Sequence, residues 1–398
     1  MLLPTPPTPP VHVVLAPDKF KGSLTAVEVA ARLEDGLRAG FTAGGGAPGA
    51  LEVVRLPVAD GGEGTVDALL AEGWRPLRVR VAGPTGEPVD AVVAREPGGP
   101  GAVVEMAQAS GLDRLPGGVR APLTAGTRGT GELVRAALDD GARRLVLAVG
   151  GSASTDGGAG LLAALGARLL DADGRDLPGG GAALAHLERL DLSGLDPRLA
   201  GTEVVLAADV DNPLLGPRGA AAVFGPQKGA TGEDVAALDA ALARFADVLA
   251  AATGTDAREE PGAGAAGGTG LVALGMLGAR RRPGVEVVLD VVGFAQRCRG
   301  AHLVVTGEGS FDRQSLGGKT PVGVAAAARA LGVPALVVSG RRALAEEEWR
   351  AAGFLDARAL TDREPDPARC VADAGRLLRD LAADLGRELA ADVAAARG

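Results

Sequence analysis

Cysteine, histidine and aromatic residues are scarce in this chain of 398 residues, which has 2 cysteines, 3 histidines and no tyrosine. Cys298 and Cys370 cannot supply the disulfide framework of a small secreted domain, so the sequence predicts a reducing, cytoplasmic environment. Because His12, His186 and His302 are the only histidines, a metal site built from a histidine cluster is not expected.

Long apolar runs and a positive net charge are also missing. No apolar stretch reaches the roughly 20 residues that span a bilayer, so no membrane partner is expected. The formal net charge of −9 argues against nucleic acid as the main partner. A small anionic ligand remains compatible with this charge, because a few local cations and backbone N–H groups are enough to hold one.

Strand and helix patterns alternate in both end regions of the chain. The predicted strands lie at 11–16, 51–58, 302–306, 335–339 and 354–360. This alternation is typical of an α/β fold with one doubly wound parallel sheet. Between these regions, short apolar segments joined by turns at 77–81, 91–95 and 102–106 predict antiparallel hairpins.

The sequence therefore predicts a discontinuous domain that is interrupted after its second strand. The domain comprises 11–74 and 285–398, and a second α/β domain, 75–284, is inserted into it. The proline-rich start, 1–10, is predicted to be a disordered extension. Residues 253–270 are rich in glycine and alanine and predict a hinge or a mobile loop.

A glycine-rich loop between a predicted strand and a predicted helix is the strongest candidate for an anion site. Its backbone N–H groups, its hydroxyls and the positive end of the helix would face one point. The binding candidates are Gly151, Ser152, Ser154, Gly157 and Gly158. Asp156 lies among them, and a carboxylate there indicates a metal ion or a transferable proton. A plain turn is the alternative interpretation.

Further charged residues follow the predicted strands of the parallel sheet. Lys19, Lys21 and Ser23 follow the first strand, Asp60 follows the second and Glu308 follows the third. Parallel strands end at one edge of a sheet, where ligands bind, so Lys19, Asp60 and Glu308 are expected to converge.

Three more candidates lie in the region predicted to be inserted. Asp209 and Asp211 follow a strand and resemble a divalent-cation site, although the same residues are common in turns. Lys228 is flanked by glycine-containing sequence and is a candidate for phosphate binding.

Lysines, glycine loops and several acids together predict phosphoryl transfer, in which cations and N–H groups hold phosphates and an acid takes the hydroxyl proton. The P-loop motif is absent, because its first glycine would have to stand where Arg313 is. Gly158, Gly160 and Ala163 allow a dinucleotide site to be considered, so a nicotinamide-dependent oxidoreductase is an alternative. A two-domain binding protein without chemistry is another.

Five segments, in order, resemble the signature blocks of the bacterial glycerate kinase family. They are APDKFKGSL at 16–24, DGGEGT at 60–65, GGSASTDGG at 150–158, GPQKGA at 225–230 and TGEGSFD at 306–312. The resemblance extends from about residue 11 to 340. It implies a flavodoxin-like domain that carries an inserted α/β domain.

The same resemblance implies ATP-dependent phosphorylation of D-glycerate at its 2-hydroxyl, giving 2-phosphoglycerate and ADP, with Mg²⁺ as the metal. Another small hydroxy acid is the alternative acceptor. Under this hypothesis Lys19 and Lys21 hold the glycerate carboxylate or the γ-phosphate, and the loop 152–158 holds phosphates. Asp60 or Glu308 is the catalytic base. Asp156, or else Asp209 or Asp211, binds the metal. The oligomeric state stays open, and a homodimer is compatible with the sequence.

Overall fold

A computed structural model describes residues 2–4, 7 and 9–396 of the chain. The described residues separate into two compact units. The first unit contains the described residues up to Asp60, Asp67–Glu72 and those from Val285 onward. The second unit contains Gly61–Val66 and Gly73–Gly284.

Strands and helices alternate through most of the described chain and are numbered in chain order. The strands are β1 Val11–Pro17, β2 Leu51–Arg55, β3 Arg75–Ala82, β4 Pro88–Arg95, β5 Gly101–Glu105, β6 Arg144–Ala148, β7 Arg168–Leu170, β8 Arg189–Asp191, β9 Glu203–Ala207, β10 Arg280–Arg282, β11 Leu303–Phe311, β12 Ala335–Arg342 and β13 Phe354–Ala359. The helices are α1 Ala26–Ala43, α2 Thr65–Ala71, α3 Ala107–Ser110, α4 Arg128–Asp139, α5 Ala159–Ala164, α6 Ala220–Phe224, α7 Gly232–Thr253, α8 Ala265–Gly275, α9 Gly284–Val291, α10 Phe294–Arg297, α11 Thr320–Ala330, α12 Glu346–Ala351, α13 Pro367–Ala372 and α14 Ala374–Ala395. Among the described residues, no helix combines the length and apolar character that a membrane span requires.

The first unit is built on a parallel sheet of five strands in the order β13-β12-β11-β1-β2. Strand β1 is buried along almost its whole length, as expected for a parallel strand that is covered on both faces. The parallel pairing predicted for the end regions of the chain is confirmed. It places the carboxyl ends of all five strands at one edge.

Helices α1 and α14 pack closely against the same core of the first unit. The close approach depends on glycine, since a Cβ atom at Gly40 would lie 1.9 Å from the carbonyl oxygen of Ala383. Thr25 and Glu28 form a capping box at the start of α1, which fixes where this helix begins.

We expect Gly40→Ala to destabilise the first unit by about 1–3 kcal/mol or more, because the added methyl group overlaps the backbone of α14. Thermal and urea unfolding should both report the loss. Gly49→Ala is the matched control, since a Cβ atom at Gly49 meets no atom within 4 Å. Equal stability of the two variants would contradict the proposed packing.

The start of the chain contacts the last helix. The backbone N–H groups of Leu2 and Leu3 both donate to one carboxylate oxygen of Asp392, each at 2.8 Å. All three residues are buried. The disorder predicted for 1–10 falls partly on residues 1, 5, 6 and 8, which lie outside the described chain. Leu2 and Leu3 themselves belong to the core of the first unit.

The second unit contains a mixed sheet of six strands in the order β10-β9-β6-β5-β4-β3. Strands β3, β4 and β5 pair antiparallel, which confirms the predicted hairpins. Strands β5, β6, β9 and β10 pair in parallel. A separate antiparallel pair is formed by β7 and β8.

The glycine- and alanine-rich stretch 253–270 differs from the hinge or mobile loop predicted from its composition. Its second half, from Ala263 to Gly270, is mostly buried in the second unit. The backbone takes a left-handed conformation at Ala266, Gly267 and Gly268. Small residues are needed here because two backbone segments meet, as the N–H of Gly157 donates to the carbonyl oxygen of Gly267 at 2.9 Å.

Candidate active site

A pocket of about 510 Å³ lies at the carboxyl edge of the parallel sheet in the first unit. It is lined by residues from the segment after β1, from β11 and β12 with the loop after β11, and from the α13 region. Five of the residues predicted as site residues line this one pocket: Lys19, Lys21, Ser23, Asp60 and Glu308. They come from three distant segments of the chain, which meet because parallel strands end at a common edge.

Glu308 is the most unusual of these residues. Its side chain is 92% buried, and its Oε1 atom has no hydrogen-bond partner in the described part of the protein. Burial raises the pKa of Glu308 to about 7, and the negative charges of Asp18 and Asp312 act in the same direction, while Ser315 and Lys319 oppose the rise. A carboxyl group with a free oxygen and a pKa near neutrality can exchange a proton with a ligand.

Asp18 also lines the pocket and was missed by sequence reasoning. Its Oδ1 accepts the backbone N–H of Lys19, and its Oδ2 accepts the hydroxyl of Thr320, both at 2.6 Å. Burial raises the pKa of Asp18 to about 7, with a further contribution from the negative charge of Asp60. The position of Asp18 directly after β1 was the signal that the sequence offered. The sequence analysis instead assigned the binding role to the neighbouring lysines.

Two more cations missed by sequence reasoning line the same pocket, Lys319 and Arg341. Lys319 lies at the start of α11, and Arg341 belongs to β12. The guanidinium group of Arg341 donates to Ser310 Oγ at 3.2 Å. With Lys19 and Lys21, these residues give the pocket four positively charged side chains beside its acids.

The glycine-rich loop lies in the second unit and is mostly buried. Asp156 is fully buried. Its Oδ2 atom accepts the backbone N–H and the hydroxyl of Thr127, both at 2.8 Å, and the N–H of Gly160 at 3.1 Å, and its Oδ1 accepts the N–H of Gly158 at 3.3 Å. Burial raises the pKa of Asp156, and these donors oppose the rise. The carboxylate therefore fixes the turn in place.

Lys228 reaches the same loop from inside the second unit. Its side chain is 1% exposed, and its Nζ donates to Ser152 Oγ at 3.0 Å and to the carbonyl oxygen of Ser154 at 2.5 Å. Burial lowers the pKa of Lys228 to about 7, while the charge of Asp156 opposes the change. Among the described residues, Ser154 Oγ and Thr155 Oγ1 have no hydrogen-bond partner.

The glycines of this loop have distinct structural roles. Gly151, Gly157 and Gly158 have φ values of +75°, +65° and +84°, which other residues adopt only with strain. Gly151 is exposed, whereas Gly157 and Gly158 are buried. A Cβ atom at Gly150 would lie 2.5 Å from the Cα atom of Gly62, so the segment after Asp60 passes directly over the loop.

The three acids predicted as metal ligands do not form a common site. Asp209 Oδ1 accepts the N–H of Gly284 at 2.7 Å. The side chain of Asp211 is 72% exposed and lies 4.0 Å from Arg218. Both carboxylate oxygens of Asp156 already accept hydrogen bonds from Thr127, Gly158 and Gly160. No group of three or more His, Cys, Asp or Glu residues in the described chain could hold a metal ion.

Glu105, at the end of β5, is a further functional candidate that sequence reasoning missed. It is fully buried and accepts the N–H groups of Gly64 at 3.2 Å and Val66 at 2.8 Å. It therefore fixes the glycine-rich segment that leads into α2. Its place at the carboxyl end of a strand was the sequence signal.

The α/β fold and a pocket that holds cationic side chains beside protonatable acids are the features of an enzyme that acts on a small anionic substrate. The profile of the Glycerate kinase family matches residues 13–390. The glycerate kinase of Bacillus subtilis (strain 168) is 49% identical over 331 residues, which are 83% of this chain and 85% of that protein. The glycerate 2-kinase of Escherichia coli (strain K12) is 44% identical over the same shares.

Comparison with solved structures indicates the same family. A crystal structure of a protein from Salmonella typhimurium LT2, named there as a proposed glycerate kinase 2, matches with a TM-score of 0.82 and 40% identity. The match covers 96% of this chain and 98% of that chain. The chain belongs to the glycerate kinase family.

Proposed function

We propose that the protein phosphorylates D-glycerate at its 2-hydroxyl group, using ATP with Mg²⁺ and releasing 2-phosphoglycerate and ADP. The observation that carries this proposal is the pocket of the first unit, which is lined both by lysines and by a buried carboxyl group whose Oε1 atom has no partner among the described residues. The E. coli relative is named as a 2-kinase, which supports the 2-hydroxyl over the 3-hydroxyl as acceptor.

Lys19 and Lys21 are proposed to hold the carboxylate of glycerate or the γ-phosphate of ATP. Both lysines follow β1 and line the pocket beside Glu308. Each carries a mobile ammonium group that can donate charge-assisted hydrogen bonds to an oxyanion. Neutralising negative oxygens is the main catalytic demand of phosphoryl transfer.

Glu308 is the proposed proton acceptor for the attacking hydroxyl group. Its Oε1 atom has no partner among the described residues, and its pKa of about 7 lies near the pH at which a general base is most effective. Asp60 was the other candidate for this role. The negative charge of Asp60 raises the pKa of Asp18, and two carboxylates this close to each other suit the binding of a cation.

Mg²⁺ is usually bound through one or two carboxylates together with substrate phosphates. Asp18 and Asp60 fit this requirement, because each lines the pocket and the charge of Asp60 raises the pKa of Asp18. These two residues would hold the ion, which would neutralise phosphate charge during the transfer. Thr320 and the backbone of Lys19 orient Asp18 for this contact.

The loop 152–158 of the second unit, with the exposed backbone of Gly151 directly before it, is proposed to bind phosphate. Lys228 is proposed to support this loop because its Nζ donates to Ser152 and Ser154, and Asp156 is proposed to anchor the loop to Thr127. The order of the parallel sheet, second-first-third-fourth-fifth along the chain, is the flavodoxin-like order. It supports a flavodoxin-like domain with an inserted α/β domain.

An ADP-release assay over a panel of small hydroxy acids tests the proposal. D-Glycerate should give the highest kcat/KM, and phosphorus NMR should identify 2-phosphoglycerate as the product. L-Glycerate and glycerol serve as stereochemical and uncharged controls. Formation of 3-phosphoglycerate would overturn the proposed regiochemistry, and no ADP formation with any acid would overturn the proposal itself.

We expect Lys21→Ala to raise the KM for D-glycerate or for ATP by about 10- to 100-fold, because one charge-assisted hydrogen bond is lost. Steady-state kinetics with each substrate varied would show which anion Lys21 holds. Arg32→Ala is the control, as Arg32 is an exposed cation on the following helix, paired with Asp35. Unchanged Michaelis constants in Lys21→Ala would remove Lys21 from the site.

A further inference from the structure

Part of the pocket in the first unit has an apolar lining, and none of the roles proposed for the lysines and acids of the pocket involves it. Its apolar side chains are Phe20, Leu360, Pro367, Cys370, Val371 and Ala374. Most of them are buried, but Val371 is 51% exposed and is one of the few large hydrophobic side chains with such exposure in the described chain. We call this lining the apolar wall. It presents open hydrocarbon surface to a ligand.

Glycerate cannot use this surface. Each of its three carbon atoms carries oxygen, so it has almost no apolar area to bury. The pocket, at about 510 Å³, also falls within the range of roughly 300–1,000 Å³ typical of pockets for much larger ligands. The apolar wall therefore offers contact area to a second ligand, or to a second part of a ligand, rather than to glycerate.

The charges near the wall indicate what that ligand is. Lys19, Lys21, Lys319 and Arg341 line the same pocket. The apolar wall and these cations are direct neighbours. Cys370 Sγ lies 3.9 Å from the carbonyl oxygen of Gly340, the residue that precedes Arg341. A molecule with a flat apolar end and an anionic end matches this arrangement, and a nucleoside phosphate has that chemistry.

We propose that the apolar wall around Val371 binds the nucleobase of the phosphoryl donor, with the donor's phosphates on the side of Lys19 and Arg341. This inference rests on the proposed function, in which ATP is the donor, and it assigns the base to the first unit. Contact with Val371 would bury its exposed hydrocarbon surface and exclude water from the base.

The test compares Val371→Asn with Leu331→Asn by isothermal titration of ADP and of inorganic pyrophosphate. Leu331 is a matched control, since it lies in the first unit, is 43% exposed and is not part of the pocket. Asparagine adds no charge, so repulsion of the phosphates cannot explain an effect. The KM for D-glycerate and the melting temperature are measured for both variants.

Val371→Asn is expected to weaken ADP binding about tenfold, because roughly one aliphatic contact is lost. Pyrophosphate affinity, the KM for D-glycerate and the Leu331→Asn control should remain unchanged. Equal ADP affinity in both variants would overturn the inference. Equal weakening of ADP and pyrophosphate, or a raised KM for glycerate alone, would overturn it as well.

These outcomes separate the inference from the function on which it rests. ADP binding that depends on Val371, in a wild-type protein that releases no ADP from ATP with any hydroxy acid, would contradict the proposed function alone. A wild-type protein that phosphorylates D-glycerate, with a Val371→Asn variant that binds ADP normally, would contradict the nucleobase site alone.

Discussion

Glu308→Gln is expected to lower the kcat for phosphorylation of D-glycerate by about 100-fold or more, with little change in the KM for either substrate. Glutamine keeps the shape of the side chain but cannot accept a proton, and general-base catalysis contributes about 100- to 10,000-fold. The partnerless Oε1 atom of Glu308 is the structural reason to expect this split between kcat and KM.

The same substitution is expected to stabilise the ligand-free protein at alkaline pH. The pKa of Glu308 is about 7 in the folded chain, against an ordinary value of 4.5. Between these values the folded state binds more protons than the unfolded state, so stability falls as the pH rises from about 4.5 to 7. Glutamine removes this dependence and should add roughly 1–3 kcal/mol at pH 8, with no gain at pH 4.5.

Melting temperatures at pH 4.5 and 8 together with steady-state kinetics would check both effects. Glu347→Gln is the matched control, because Glu347 is an exposed acid of the same unit, on α12. Loss of activity joined to a gain of stability is typical of a residue whose burial serves function. A kcat within twofold of the wild type would remove Glu308 from the role of base.

Gly267→Ala is expected to unfold or strongly destabilise the second unit, by about 3 kcal/mol or more. Its φ of +68° strains any other residue, and the new Cβ atom would lie 2.0 Å from the carbonyl oxygen of Ser154. Strain at such a position costs about 1–3 kcal/mol, and the overlap adds a similar amount. The loop that Lys228 and Asp156 fix would have to move.

Two control variants divide this effect into its causes. Gly278 has a φ of +62° but a Cβ atom there meets nothing within 4 Å, so Gly278→Ala measures backbone strain alone. Gly232, at the start of α7, has neither strain nor close neighbours, so Gly232→Ala should be neutral. If Gly267→Ala melts at the same temperature as Gly278→Ala, the overlap with Ser154 does not exist.

Sequence reasoning found the pocket of the first unit because topology alone brings its residues together. Lys19, Asp60 and Glu308 each follow or end a predicted strand, and parallel strands share an edge. Asp18 was visible at the same edge. Its importance depends on burial and on the nearby charge of Asp60, and neither can be obtained from spacing along the chain.

In the second unit, the sequence did not reveal how the predicted residues pack against one another. The glycine-rich sequence around Lys228 was the basis for predicting that this residue binds phosphate. The sequence did not reveal that its side chain packs against the loop and donates to Ser152 and Ser154. Composition also suggested that 253–270 would be mobile. Glycine suits a flexible linker and a close backbone contact equally well, and only the position of Gly267 against Ser154 distinguishes the two cases. The apolar wall depends on where α13 packs, which no local pattern reveals.

The discontinuous first unit has a consequence for how this chain emerges from the ribosome. Strands β1 and β2 are synthesised first, yet the partner of β1 on its other side is β11, and α1 packs against α14. At about 5–20 residues per second, the nascent strands wait for tens of seconds, while the second unit can already fold because both of its segments, Gly61–Val66 and Gly73–Gly284, are complete before β11 is made. During this interval the apolar face of β1 is available to chaperones and to other nascent chains. A release of the chain before α14 would leave the earliest segments without their last covering helix.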